Sequence, residues 1–195
     1  MNNEKFSIDA VIAWVDGSDP KFIQKKKKYI SELERKEDNH PTRFNQVGEL
    51  SFVVKSILKY ASFVRKIFIV TDNQIPSFLK NKEDWSKKYL DRIEVIDHKE
   101  IFTNFNNFLP TFNSLSIESL LYNIKGLSEH FIYFNDDMFL VKPTVVNDWF
   151  INGLPVIRGR WTTYSEKIWY KKLHRVIFSS KKNKPSFKKA QEKSA

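Results

Sequence analysis

Four short apolar runs punctuate the chain, and each ends at a polar stop. Ile8–Val15 (IDAVIAWV), Lys66–Thr71 (KIFIVT), Ile93–Ile96 (IEVI) and Phe131–Phe134 (FIYF) are rich in β-branched and aromatic residues, which predicts four buried strands. Between them the spacing changes. Leu50, Val53, Val54, Ile57 and Leu58 follow a helical repeat and predict an amphipathic helix over 49–60. A Lys-rich, mostly exposed helix is predicted over 21–37, broken by Asp38-Asn39-His40-Pro41. One or two short helices are expected over 76–90. A helix over 114–124 turns Ile117, Leu120, Leu121 and Ile124 inward, with Ser114 as its N-cap and Gly126 closing it. Residues 97–112 read as a loop and 143–151 as a further helix.

Strands that alternate with helices and are themselves nearly continuous apolar runs predict an α/β fold, with a largely parallel sheet and flanking helices. The predicted domain covers 1–176. Residues 177–195 turn to Lys and Ser and read as a basic, unstructured tail.

Composition narrows the classes. The chain has 195 residues, the size of one ordinary domain, and 17 Phe, 7 Tyr and 5 Trp to fill its core. It has no Cys, which removes a disulfide framework, a thiol nucleophile and a Cys-bound zinc. No apolar run approaches the roughly 20 residues that span a bilayer, and the first residues lack the pattern of a signal peptide. A cytoplasmic location is the expectation. The formal net charge is +10. Much of it sits in the tail, with Lys181, Lys182, Lys184, Lys188, Lys189 and Lys193 against Glu192. The remaining body is mildly basic and its cations are not interleaved with aromatics, so no nucleic-acid partner is expected. The tail is a candidate contact with an anionic membrane face.

Ligands of an open parallel sheet bind beyond the carboxyl ends of its strands. Every predicted strand end carries a carboxylate: Asp16-Gly17-Ser18-Asp19, Asp72-Asn73, Asp97-His98 and Asn135-Asp136-Asp137. Asp and Asn also favour turns, so no single end is decisive. The adjacent pair Asp136 and Asp137, between an apolar strand and another apolar stretch, stands out. Neighbouring like charges in a partly buried place repel, and a hard divalent cation, Mg²⁺ or Mn²⁺, removes that penalty when shared with substrate phosphates. Arg43 is a candidate phosphate clamp, because a guanidinium offers two parallel donors. Glu49 opens the predicted helix, where it also offsets the helix dipole. Asn113 is a candidate contact to phosphate or sugar. His98 is the histidine nearest the crevice, and His130 reads as structural. Neither a phosphate-binding glycine loop nor a nucleophile elbow occurs.

These residues resemble a known family. Ile8–Pro20 (IDAVIAWVDGSDP) is similar to the first conserved region of the Stealth proteins. Residues 43–145 resemble the second through RF…GEL, VRKIFIVTDNQIPSFL, LPTFNS…IES and GLSEHFIYFNDDMFL. The family includes bacterial capsular polysaccharide phosphotransferases and the animal enzyme that places N-acetylglucosamine-1-phosphate on lysosomal glycoproteins. The resemblance implies a Rossmann-like fold of nucleotide-sugar-transferase type. It also implies transfer of a sugar 1-phosphate from a UDP-sugar donor to a hydroxyl of a growing polysaccharide acceptor, with release of UMP. On that reading Asp16, Arg43, Glu49, Asp136 and Asp137 are catalytic, with the metal on Asp136 and Asp137. Gly17, Asp72, Asn113, Ser114 and Glu118 bind substrate. Two departures accompany it. Gln46 stands where relatives usually carry an acid, and nothing after Trp149 resembles the family's third and fourth conserved regions, so the domain reads as truncated. Two rival functions remain: a metal-dependent glycosyltransferase that releases UDP, and a non-catalytic nucleotide-sugar binder.

Overall fold

The computed structural model describes residues 6–29, 47–81 and 85–159. All four predicted strands form: β1 (Ile8–Ala13), β2 (Val64–Thr71), β3 (Ile93–Asp97) and β4 (His130–Asn135). They make one parallel sheet in the order β3-β2-β1-β4. The Rossmann-like α/β expectation is met. Helices connect the strands: α1 (Pro20–Tyr29), α2 (Glu49–Tyr60), α3 (Ser77–Asn81), α4 (Lys87–Leu90), α5 (His98–Ile101) and α6 (Ser114–Glu118).

Alternation along the strands splits the core between two faces. Ile8, Ala10 and Ile12 of β1, with Ile67 and Ile69 of β2 and Ile132 and Phe134 of β4, pack on Leu50, Val53, Val54 and Ile57 of α2. Val11, Phe68, Val70 and Ile96 face the other way, against Ile101, Phe102, Ile117, Leu121 and Ile124. Both faces of the central strands are therefore buried, which is why their sequences are almost unbroken apolar runs. Gly48 starts α2 at φ +90°, a left-handed backbone that glycine adopts without strain. After β4 the chain returns along α2. Leu140 N donates to Ser56 Oγ at 3.0 Å, and Thr144 N donates to Tyr60 O at 2.9 Å.

One polar residue interrupts the apolar run of β1. Asp9 is fully buried. Arg65 grips it from β2 with two bonds (Nε to Oδ1 3.0 Å, Nη2 to Oδ2 2.7 Å). Lys66 N (3.1 Å) and Ser128 N (2.7 Å) also donate to it. Arg65 Nη2 further donates to Gly126 O at 2.7 Å. Burial raises the Asp9 pKa, but the bonds from Arg65 and Ser128 outweigh it and hold the carboxyl below its ordinary value.

The structure departs from the pattern in four places. The helix expected over 114–124 is α6 followed by a 3-10 turn, Leu121–Asn123. Of its inward residues Ile117, Leu121 and Ile124 are still buried and Leu120 is partly so, because both helix types bring residues three apart to one side. The expected loop over 97–112 contains α5 and a 3-10 turn at Asn106–Phe108. The helix expected over 143–151 is instead a 3-10 turn, Val146–Asp148, and a two-residue hairpin of β5 (Phe150–Ile151) and β6 (Leu154–Pro155). Asn152 (φ 53°) and Gly153 (φ 75°) make its turn. Ser114 is not the N-cap of α6: Asn113 is, accepting from Leu115 N at 3.1 Å. The helix predicted over 21–37 is seen to Tyr29, and its remainder lies outside the described residues, as does the predicted boundary at 176. The sheet, its helices and the hairpin belong to one unit, Met1–Val156.

Candidate functional site

The polar residues singled out by the sequence gather at the carboxyl ends of the strands. Trp14 extends the pairing of β1 with β2, its N–H donating to Val70 O at 2.9 Å, and the chain then turns sharply. Asp16 Oδ1 holds that turn by accepting from Ser18 N (2.9 Å) and Ser18 Oγ (2.6 Å). Asp19 opens α1, accepting from Lys21 N at 2.8 Å. That bond, with help from Gln74 and against burial, lowers the Asp19 pKa. Gln74, buried just beyond β2, ties the turn to the next strand. Its Oε1 accepts from Asp16 N (2.8 Å), and its Nε2 donates to Asp16 O (3.0 Å) and Asp19 Oδ2 (3.2 Å). Beside it Asp72 takes both of its bonds from Lys25 Nζ of α1, each at 2.7 Å.

The strand order reverses between β1 and β4, since β1 leads outward to β2 and β3 before the chain returns to β4. A parallel sheet opens a crevice at such a point. Here it is a cavity of about 220 Å³ lined by Trp14, Phe22, His98, Thr111, Ser114 and Asp136, among others. Phe22 of α1 meets Phe112 edge-on at 5.6 Å and closes one wall. His98 is buried, and that burial, partly offset by Asp72 and Asp97, lowers its pKa, which keeps the imidazole neutral at pH 7. Asp97 Oδ2 and Thr71 Oγ1, at paired positions of β3 and β2, are buried without a hydrogen-bond partner.

Asp136 lines this cavity half-buried, and Asp137 is exposed. Just below them on β4, Tyr133 Oη donates to Glu118 Oε1 at 3.3 Å. Burial first, then Glu118, then Asp136 and Asp137 push the phenol pKa far up. Three carboxylates thus cast their field on one phenol. Among the described residues no group of three or more acids or histidines is placed to hold a metal by itself. Asp136 alone of the adjacent pair lines the cavity, and a hard cation held there would complete its shell with water and phosphate oxygens. In that sense the residues present fit Mg²⁺ or Mn²⁺.

A second, larger cavity of about 430 Å³ opens on the α2 side of the β1 tip, with Trp14, Asp16, Ser51, Phe78 and Trp85 in its lining. Trp14 belongs to both cavities.

The structure therefore brings Asp16, Ser114 and Asp136 to the two cavities. Gly17 lies in the turn after β1, and Glu118 is engaged with Tyr133. Asp72 is neutralised by Lys25, and Asn113 serves as a cap. Glu49 accepts from Val47 N at 2.8 Å at the start of α2. Arg43 and Gln46 lie outside the described residues. His130 is structural: it stacks on Phe6 at 4.2 Å, and its Nε2 lies 2.8 Å from Gly153 O. Sequence reasoning assigned no role to Gln74, Lys25, Phe78 or Trp85. Gln74 was visible only as part of the polar stop after β2. Nothing in the pattern of 76–90 showed that its aromatics face a cavity.

Residues 43–156 match the family profile described as Stealth protein CR2, conserved region 2, and residues 6–34 match Stealth protein CR1, conserved region 1. The chain belongs to the Stealth family. Both stretches extend further than the resembling segments 8–20 and 43–145. Among relatives, an exopolysaccharide phosphotransferase of Lactiplantibacillus plantarum is 44% identical over 151 residues, 77% of this chain and 41% of the relative. A capsular polysaccharide phosphotransferase of Haemophilus influenzae is 44% identical over 163 residues, 80% of this chain and 42% of the relative. An exopolysaccharide phosphotransferase of Streptomyces coelicolor is 41% identical over 145 residues, 74% of this chain and 25% of the relative. The chain thus spans less than half the length of these relatives. No helix among the described residues is long and apolar enough to cross a membrane.

Proposed function

We propose that this chain carries the donor-binding part of a sugar-1-phosphate transferase of polysaccharide synthesis. The observation that carries the reading is Asp136 at the crevice where the strand order reverses, with Asp137 beside it, in a chain whose relatives bear the names of polysaccharide phosphotransferases. The donor is a UDP-sugar, seated with its diphosphate against the tips of β1 and β4. The acceptor is a hydroxyl of a growing polysaccharide. Its oxygen attacks the β-phosphorus, the bond from that phosphorus to the bridging oxygen breaks, and UMP leaves with the oxygen. A Mg²⁺ or Mn²⁺ ion on Asp136 and Asp137 supplies charge neutralisation to the diphosphate when bound. Asp16, steadied by Ser18, takes the hydroxyl proton. Ser114 and Thr111 offer hydroxyls to the donor, and Phe22 and Phe112 exclude water from it. Arg43 is assigned to the phosphate oxygens on its chemistry alone. The basic tail over 177–195 holds the protein at an anionic inner membrane face.

The test is product analysis with labelled UDP-sugars, divalent cation and polysaccharide acceptor. UMP as the leaving group supports the reading. UDP assigns a glycosyltransferase instead, and titratable UDP-sugar binding without either product assigns a binding module. Asp136→Asn and Asp137→Asn should each lower turnover at least about 100-fold, the scale of losing a positioned electrostatic group. Near-normal rates in both variants remove the pair from the site.

A further inference from the structure

The larger cavity on the α2 side of the β1 tip is left unused by the donor reading above, and its lining suits a ligand. Its volume of about 430 Å³ falls in the range of small-molecule sites. Its lining is aromatic in part: Phe78 and Trp85 stack at 4.6 Å and 27°, and Trp14 joins them. Lys55 Nζ lies 5.2 Å from the centre of the Trp85 ring and steadies it from outside. The facing groups are short and polar, with Ser51 from α2 and Asn81 from the end of α3, and Asp16 reaches in from the β1 turn. Flat aromatic faces beside amide, hydroxyl and carboxylate groups suit a saccharide. A sugar ring presents an apolar C–H face to stack and a rim of hydroxyls to hydrogen-bond. Lys80 stands in the same lining and adds one cation.

We infer that this cavity is the acceptor subsite, which takes the terminal sugar of a saccharide chain whose nearest phosphodiester meets Lys80. This rests on the donor reading above and completes it. Trp14 lines both cavities, so guests in the two would meet at the tip of β1, with Asp16 on the side of the larger one. A transfer between two substrates needs such adjacency, because reacting atoms must be held about 3 to 3.5 Å apart. The phosphodiester of a polymer built by sugar-1-phosphate transfer is an anion at every repeat, which gives Lys80 its partner.

Saturation-transfer NMR on the whole chain tests the assignment. The probes are methyl glycosides of glucose, galactose and N-acetylglucosamine and their phosphorylated forms, with UDP measured separately in the same samples. At least one glycoside should receive saturation, and its phosphorylated form should bind more tightly. Trp85→Ala should weaken that glycoside roughly tenfold while leaving UDP binding unchanged. Asn81→Ala, at an exposed position that leaves the core intact, should weaken it several-fold in the same way. Lys80→Gln should abolish the preference for the phosphorylated form. Failure of every glycoside to bind overturns the assignment, and so does loss of UDP binding rather than glycoside binding in Trp85→Ala. Failure of UDP to bind the unaltered chain overturns the donor reading instead, so the two are told apart.

Discussion

Asp9 shows how much a single side chain can decide. In the sequence it is one polar letter in an apolar run, and the run alone sufficed to predict the strand. What the letter does was not legible, because its partners Arg65 and Ser128 lie 56 and 119 positions away. The pair is asymmetric: Arg65 keeps 44% of its side chain exposed, whereas Asp9 has none. Arg65→Ala strands a buried carboxylate and should cost about 3 to 5 kcal/mol. Asp9→Asn leaves a guanidinium that solvent can reach, and should cost less, about 1 to 3 kcal/mol. Urea denaturation of the two variants checks the order. The same residue sets an acid limit. Its folded pKa lies below the ordinary 3.8, so its stabilisation is complete above that value and is lost as pH falls through the depressed one. His98 acts at higher pH. Its folded pKa lies below the ordinary 6.5, so the unfolded chain takes up the proton first and stability declines as pH falls below about 6.5. Unfolding free energy measured from pH 8 to pH 3 should therefore fall in two stages, and Asp9→Asn should shrink the lower one, to which Asp19 also contributes. The candidate site followed the same rule. The place of Asp16 and Asp136 at the cavities was legible because strand ends are legible. The cap fell on Asn113 and not on Ser114, because a cap depends on one backbone angle that no periodicity encodes.

Elements with long repeats were the legible ones. The helix α2 starts and stops where its apolar spacing does, and the four strands match within two residues, because burial on a face writes itself into every second or third position. Short elements carry too few positions for that. The segment 143–151 shows the limit, with apolar residues compatible with a helix but placed in a turn and a hairpin. A local signal was present in Asn152-Gly153, the dipeptide of a tight hairpin turn, and it outranks weak periodicity. Gly153→Ala tests its weight. A Cβ there would meet His130 Nε2 only at 3.6 Å, so the space is sufficient and the backbone angle is the whole cost. The variant should lose about 1 to 2 kcal/mol, the penalty of a left-handed residue, read from its thermal midpoint. Phe150 should lose protection with it, since the hairpin presses that ring edge-on against Phe6 and His130.

At the scale of the whole molecule, the strand order places β1 between β2 and β4, with the Asp9–Arg65 pair at the end of the sheet opposite the one that carries the two cavities. The order of synthesis makes that position consequential. Of the four strands β1 leaves the ribosome first, yet one of its two neighbours, β4, is made last. Until residue 135 has been added, a hydrophobic ribbon has one flank without a partner, and such edges invite association between nascent chains. A fragment ending at Lys125 should therefore collect in the insoluble fraction of an expressing cell, whereas one ending at Val156 should stay in the supernatant. The hub of the finished sheet is the last part of it to be sheltered.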